Sequence, residues 1–414
     1  MNMDLLRFIT AGSVDDGKST LIGRLLFDSG AVARDLVEAI ERSSEKSGSD
    51  TVNLALLTDG LKAEREQGIT IDVAYKYFST DKRKFIIADA PGHVQYTRNM
   101  VTGASNVDAA VILIDARHGI QEQTRRHSFL ASLLGIPHVI LAINKMDLVD
   151  YSEDRFNEIV REYEAIKSRM QLEDVIYIPV AALSGENVAR KSEHMPWFQG
   201  QPLLQVLESL PHRKDVGPAR FPIQWVIRPH SDEHHDYRGY AGQLQSGVLE
   251  QGQEVTLLPS GKRSKIKSIE IGGEPLDRAS APMSITLQLE DDIDISRGDM
   301  IVSNDDPALT GREFVAHLCW MDQSKLQSRN RFILQQTTRR SVAMVQSIEA
   351  IYDIHTLERQ PGESMGLNDI GLVRIKTAEQ LSFDDYQKNR RTGSFILIDE
   401  SSNSTVAAGM IAAG

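Results

Sequence analysis

The sequence predicts an α/β domain with a doubly wound, mostly parallel sheet, followed by two antiparallel β-barrel domains. Three observations predict it. Residues 12–19 read Gly-Ser-Val-Asp-Asp-Gly-Lys-Ser, which fits the phosphate-binding pattern G-x-x-x-x-G-K-[ST]. From residue 1 to about 210, apolar strand-like runs alternate with helical patterns, the texture of a parallel sheet with crossover helices. Beyond a Pro- and Gly-interrupted linker at 211–222, short strand-like runs and turn residues take over, which means small barrels or sandwiches. The expected boundaries are 1–212, 218–308 and 309–414.

The loop comes first. Residues 5–10 are apolar enough for a buried strand, and residues 20–27 carry Leu21, Leu25 and Leu26 on one helical side. The loop therefore joins a strand to a helix. Its glycines let the backbone approach a ligand without a Cβ clash, and its N–H groups converge at a helix N-terminus, where phosphate is favoured. Gly12, Ser13, Val14, Asp15, Asp16 and Gly17 form the cradle. Lys18 is expected to reach the β- and γ-phosphates, the Ser19 hydroxyl to bind Mg²⁺ and Thr20 to meet the α-phosphate.

The clearest later strands are 85–88, 109–114, 138–143 and 175–179, with amphipathic segments at 121–134 and 152–170 between them. The run 109–114 shows no alternation, as fits a strand covered on both faces. Asp89-Ala90-Pro91-Gly92-His93 follows the first of these strands, 85–88. A carboxylate there is placed to hold a Mg²⁺-bound water, and the Gly92 N–H to meet a γ-phosphate. Asn144-Lys145-Met146-Asp147 follows the run 138–143 and supplies a base reader. The Asp147 carboxylate accepts from guanine N1–H and N2–H, whereas adenine would leave it unpaired. A site built on such a pair discriminates by ~10⁴ or more. Lys145 lays its stem over the ring, and in Ala181-Ala182-Leu183 the Ala182 N–H is expected at guanine O6. Thr70, in a loop between Lys18 and Asp89, is the expected second side-chain ligand to Mg²⁺. Four elements in this order predict an α/β P-loop GTPase domain using GTP and Mg²⁺. His93 alone fits a surface turn as well as a catalytic place; its position after Gly92 favours the catalytic one.

Residues 1 to about 210 resemble the GTP-binding domain of translational GTPases, and the Asp-Ala-Pro-Gly-His run (89–93) and the Gln-Gly-Ile-Thr loop (67–70) point to the elongation-factor branch. That resemblance implies that His93 orients the attacking water, with Val14 and Ile69 flanking it as an apolar gate. Within the branch, residues 12–26, 57–70, 221–226 and 403–411 are similar to the GTPase subunit of bacterial sulfate adenylyltransferase. Asp16 and Ser19 stand where elongation factors usually have His and Thr, and Ala181 departs from a common Ser. The resemblance implies a heterodimer with a small catalytic subunit, which joins ATP and sulfate into adenosine 5′-phosphosulfate and pyrophosphate while this chain hydrolyses GTP to drive the step. The rival readings are an elongation factor delivering aminoacyl-tRNA and a purely regulatory GTP-binding switch that gates a partner without driving its chemistry. No second P-loop occurs within the 414 residues, so a fused kinase module is not expected within them; a continuation past Gly414 stays open.

Composition agrees with an ordinary globular chain, 41% hydrophobic and 25% charged. No apolar run approaches the ~20 residues needed to span a bilayer, and no signal-peptide core precedes Arg7, so no membrane association is expected. One cysteine, Cys319, excludes an intrachain disulfide and suits a cytoplasmic place. The net charge of −12 disfavours a broad nucleic-acid surface. His230, His234 and His235 with their acidic neighbours read as a solvated loop, and Glu290-Asp291-Asp292 with Asp294 as an acidic turn. Arg329, Arg331, Arg339, Arg340, Arg390 and Arg391 concentrate positive charge in the last domain.

Overall fold

The first strand, β1 (Leu5–Ala11), runs straight into the loop that the sequence marks as its phosphate cradle. The structure is a computed structural model, and it describes residues 4–32, 54, 74–90, 97–104, 106–170, 172, 174–211, 217–228 and 237–412. Helix α1 (Lys18–Asp28) follows the loop, and Leu21, Ile22, Leu25 and Leu26 bury its inner face. Its end is marked by Gly30, whose N–H bonds back to the Phe27 carbonyl.

The remaining elements of the first unit are β2 (Ala74–Ser79), β3 (Lys84–Asp89), α2 (Thr97–Ala104), β4 (Ala109–Asp115), α3 (Glu122–Leu133), β5 (His138–Asn144), α4 (Glu153–Lys167), β6 (Val175–Pro179) and α5 (Leu203–Ser209). The strands form one sheet in the order β2-β3-β1-β4-β5-β6. Only β2 is antiparallel to its neighbour. The apolar run of β4 is buried at every position, so it lies at the sheet's centre and needs no alternation. Leu6, Phe8, Val111 and Leu113 pack with α1 and α5 on one face. Their strand neighbours Ile9, Ala110 and Ile112 are buried too, with α2 and α3 packed on β1 and β4. The chain order therefore reverses between β1 and β4, and the carboxyl ends of β1, β3, β4 and β5 open on one crevice.

The second compact unit comprises Lys214–Tyr352 and Arg359–Gly414. It holds two closed rings of six antiparallel strands. In the first ring, Glu254–Leu258, Met300–Ser303, Arg220–Ile227, Gly239–Gln243, Ser284–Leu289 and Lys262–Ile271 pair in sequence and return to Glu254–Leu258. In the second, Arg331–Gln336, Ser394–Ile398, Thr405–Ala412, Leu309–Trp320, Ile370–Phe383 and Arg339–Tyr352 close in the same manner. Each ring has its own apolar interior, around Phe221, Val255 and Leu287 in one and Phe314, Trp320 and Phe395 in the other. In the sequence, residues 239–249 form one of the short strand-like runs that follow the linker. The structure divides it into Gly239–Gln243 and Val248–Glu250, because Gly247 sits at φ 73° and turns the chain. The acidic run is a turn in which Ser264 donates to Asp291 at 2.7 Å and Arg238 pairs with Asp292.

Candidate functional site

The crevice is built by strand ends and the loops leaving them. Gly17 precedes α1 in the left-handed region at φ 91°, and α1 has neither a side-chain cap nor an acidic residue in its first turn. Among the described residues no carboxylate caps its first N–H groups, the state that favours an external anion. Lys18 is 8% exposed, and its Nζ donates to the carbonyls of Gly12 (3.1 Å) and Ser13 (2.8 Å). Burial pushes its ammonium below the usual value, against the pull of Asp89, Asp16 and Asp15. A buried ammonium whose hydrogen-bond partners are neutral carbonyls fits a polyanion.

Asp16 turns back into the loop, where its carboxylate accepts the Ser13 amide at 2.5 Å. Burial pushes the Asp16 carboxyl up, and the Ser13 amide and Lys18 oppose that shift. Asp89, at the end of β3, is 2% exposed and accepts from Thr10 Oγ1 at 3.2 Å. The β1–β3 register, which sets Thr10 opposite Asp89, fixes this contact. Ser19 and Thr20 stand half-buried in the first turn of α1, and Val14 is exposed. Ser19 and Asp89 offer hard oxygen donors in the small number that suits Mg²⁺, an ion that keeps several waters.

Asn144 binds three loops together. Its Nδ2 donates to the Asp16 carbonyl at 2.7 Å, and its Oδ1 accepts the Ala182 N–H at 3.0 Å. The sequence assigns that N–H to guanine O6; in the structure its partner is Asn144. Arg24 of α1 braces the same loop through the Ala182 and Leu183 carbonyls. Lys145 adopts φ 62°, and Asp147 is the second residue of the 3-10 turn Met146–Val149 that follows. Thr70, Gly92 and His93 lie outside the described residues, as do Ile69 and the histidines at 230, 234 and 235.

One charged cluster at the strand ends escaped the sequence reading. Asp115 ends β4 and is 2% exposed. It accepts from Lys145 Nζ at 3.0 Å and from Arg117 Nη2 at 2.6 Å. Burial would raise its carboxyl, but hydrogen bonds from Arg117 and Lys145 outweigh burial and hold it well below the usual carboxylate range. The signal was present: a carboxylate ends this strand as Asp89 ends β3. Among the described residues, no cluster of His, Cys, Asp and Glu side chains forms a multidentate metal cage, and no helix is long and apolar enough to cross a membrane.

Residues 3–213 match the elongation factor Tu GTP binding domain, and residues 313–412 the GTP-eEF1A C-terminal domain-like family. The chain is 52% identical over 412 residues to sulfate adenylyltransferase subunit 1 of Alteromonas mediterranea, covering 99% of this chain and 87% of that protein. The corresponding protein of Bacteroides fragilis is 53% identical, with 99% and 86% covered. A bifunctional enzyme CysN/CysC of Mycobacterium tuberculosis is 51% identical and covers 98% of this chain, which spans 67% of that longer protein. With half its residues shared over nearly its whole length, and an elongation factor Tu-type domain around the crevice, the chain belongs to the sulfate adenylyltransferase subunit 1 family.

Proposed function

We propose that this chain is the GTPase subunit of sulfate adenylyltransferase. It hydrolyses GTP, and that hydrolysis drives a partner catalytic subunit to form adenosine 5′-phosphosulfate and pyrophosphate from ATP and sulfate. The observation that carries the reading is the shared identity with subunit 1 proteins, which runs through the crevice and both barrels. The rival role in delivering aminoacyl-tRNA is less well supported, since these relatives carry sulfate adenylyltransferase names.

In this reading the α1 N-terminus and Lys18 hold the phosphates, while Asp147 and Lys145 take the guanine ring. The Ala182 N–H shares itself between Asn144 and guanine O6. Ser19, Thr70 and, through water, Asp89 hold Mg²⁺, which when bound neutralises charge on the β- and γ-phosphates. His93 orients the attacking water, and Gly92 donates to the γ-phosphate. Coupling requires contacts with the partner that differ between the GTP and GDP states, since a ligand shifts an equilibrium only by its differential affinity for the two states. We place the work in the cytoplasm and the domain boundaries after residue 212 and at 309.

The test is GTP hydrolysis by the chain alone and with the catalytic subunit, with and without ATP and sulfate. Intrinsic GTPase rates can be as low as ~10⁻⁴ s⁻¹ and rise steeply when a partner completes the site. The expected outcome is a large rise that needs the subunit and both substrates, with adenosine 5′-phosphosulfate accumulating in step. Indifference to the subunit would sink the coupling while leaving the GTP site standing.

A further inference from the structure

Among the described residues, Lys145 and Arg117 both meet Asp115 at the strand ends, and the carboxylates of Asp15 and Asp147 act on Arg117 as well. Asp115 takes both cations. The Arg117 backbone N–H reaches Asp115 Oδ1 at 2.9 Å, its Nε reaches Oδ1 and Oδ2 at 3.0 and 3.3 Å, and its Nη2 reaches Oδ2 at 2.6 Å. Lys145 Nζ completes the set at 3.0 Å, and His118 Nδ1 lies 3.6 Å from the same oxygen. The geometry follows from the sheet. Asp115 and Asn144 are register partners at the ends of β4 and β5, so Lys145 emerges beside Asp115. Asp15 and Asp147 have no side-chain ion pair or hydrogen bond among the described residues. Both are nonetheless close enough to add to the charge that Asp115 exerts on the Arg117 guanidinium.

We propose that Asp115 is a positioning residue that sequesters Lys145 and Arg117, and so keeps the Asp147 carboxylate open for the two donors of a guanine edge. This rests on the guanine-site reading above. A free ammonium or guanidinium is a stronger partner for a carboxylate than neutral N–H donors are. Left unheld, either cation swings onto Asp147 and competes with the base. Held by Asp115, Lys145 presents its stem to the ring while its charge points away. Arg117 is thereby stored and is not a nucleotide ligand.

The experiment measures fluorescent GDP and IDP binding to the full chain. Inosine lacks the N2 amino donor, so the GDP-to-IDP affinity ratio reports on Asp147. Absence of any GDP preference in the unsubstituted protein would overturn the guanine reading itself, separately from this proposal. In Asp115→Asn, GDP affinity is expected to fall by about tenfold or more while the GDP-to-IDP ratio drops towards one. The added change Arg117→Gln, or roughly 0.5 M salt, then restores part of the GDP affinity by removing or screening a released cation. Wild-type binding by a folded Asp115→Asn protein would overturn the proposal. So would an equal loss for GDP and IDP with no recovery, the behaviour of a merely structural contact. Arg117→Ala alone serves if Asp115→Asn does not fold. It is expected to bind GDP within about threefold of the unsubstituted protein, and a larger loss makes Arg117 a ligand and ends the sequestration argument.

Discussion

The imidazole of His127, on α3, is 1% exposed, and its Nδ1 has no hydrogen-bond partner among the described residues. Burial pushes its pKa down to about 3, and the charges of Lys18 and Arg126 push in the same direction. The folded protein therefore keeps His127 neutral where the unfolded chain, near 6.5, takes up a proton. Below pH 6.5 the unfolded state binds more protons, so stability that is intact at neutral pH is lost as pH falls towards 3. The slope is about 1.4 kcal/mol per pH unit, or about 2 kcal/mol by pH 5. His127→Gln, which cannot titrate, should flatten urea-unfolding stability between pH 6.5 and 5 by that amount. An unchanged slope in the variant would mean that other groups carry the acid sensitivity. Burial first, and then the charges of Lys18 and Arg126, make the neutral imidazole the favoured form at this position.

At the scale of elements, the join between loop and helix is the sensitive point. Gly17 sits at φ 91°, and a Cβ there would meet Asn144 Nδ2 at 2.5 Å. Gly17→Ala thus adds left-handed strain and displaces the side chain that ties Asp16 to Ala182. The strain is worth about 1–2 kcal/mol and each orphaned buried partner about 1–3 kcal/mol. We expect a clear fall in the thermal midpoint together with weaker GDP binding; a variant that melts and binds as before would show that Asn144 adapts freely. This join was legible in the sequence because its chemistry is local: a glycine, a lysine and a serine in a fixed spacing between an apolar run and a helical one. β4 and β5 were legible because unbroken apolar runs suit wholly buried strands. β2 was not, since it lies at the sheet edge with Tyr75 and Tyr77 exposed and lacks a buried run. Asp115 was missed for another reason: its meaning depends on Lys145, which arrives only with the next strand of the sheet.

At the scale of the molecule, the two closed barrels were readable as texture, but what joins them was not. Arg220, 1% exposed, pairs with Asp384 through Nε at 2.9 Å and Nη2 at 2.8 Å, across 164 positions of sequence. Thr392 donates to the same carboxylate at 2.5 Å. Arg339, read from the sequence only as part of a basic doublet, is held by Glu379 of its own ring at 2.9 Å and reaches across to Asp299 at 3.0 Å, and Asn389 donates to Ser246 at 2.9 Å. The joint between the rings within the second unit is therefore polar. A buried bidentate pair is costly to form, and costlier still to halve, because the survivor stays buried without its counter-charge. Arg220→Met should destabilise the second unit by about 3–5 kcal/mol, and Asp384→Leu alone by a similar amount. The double variant, with both charges gone and apolar volume in their place, should recover most of that loss. A double-mutant cycle by chemical denaturation reads this directly. Strong positive coupling means that the ion pair fixes one barrel against the other; additive losses would mean that each side chain contributes through its own barrel and that the seam is held elsewhere.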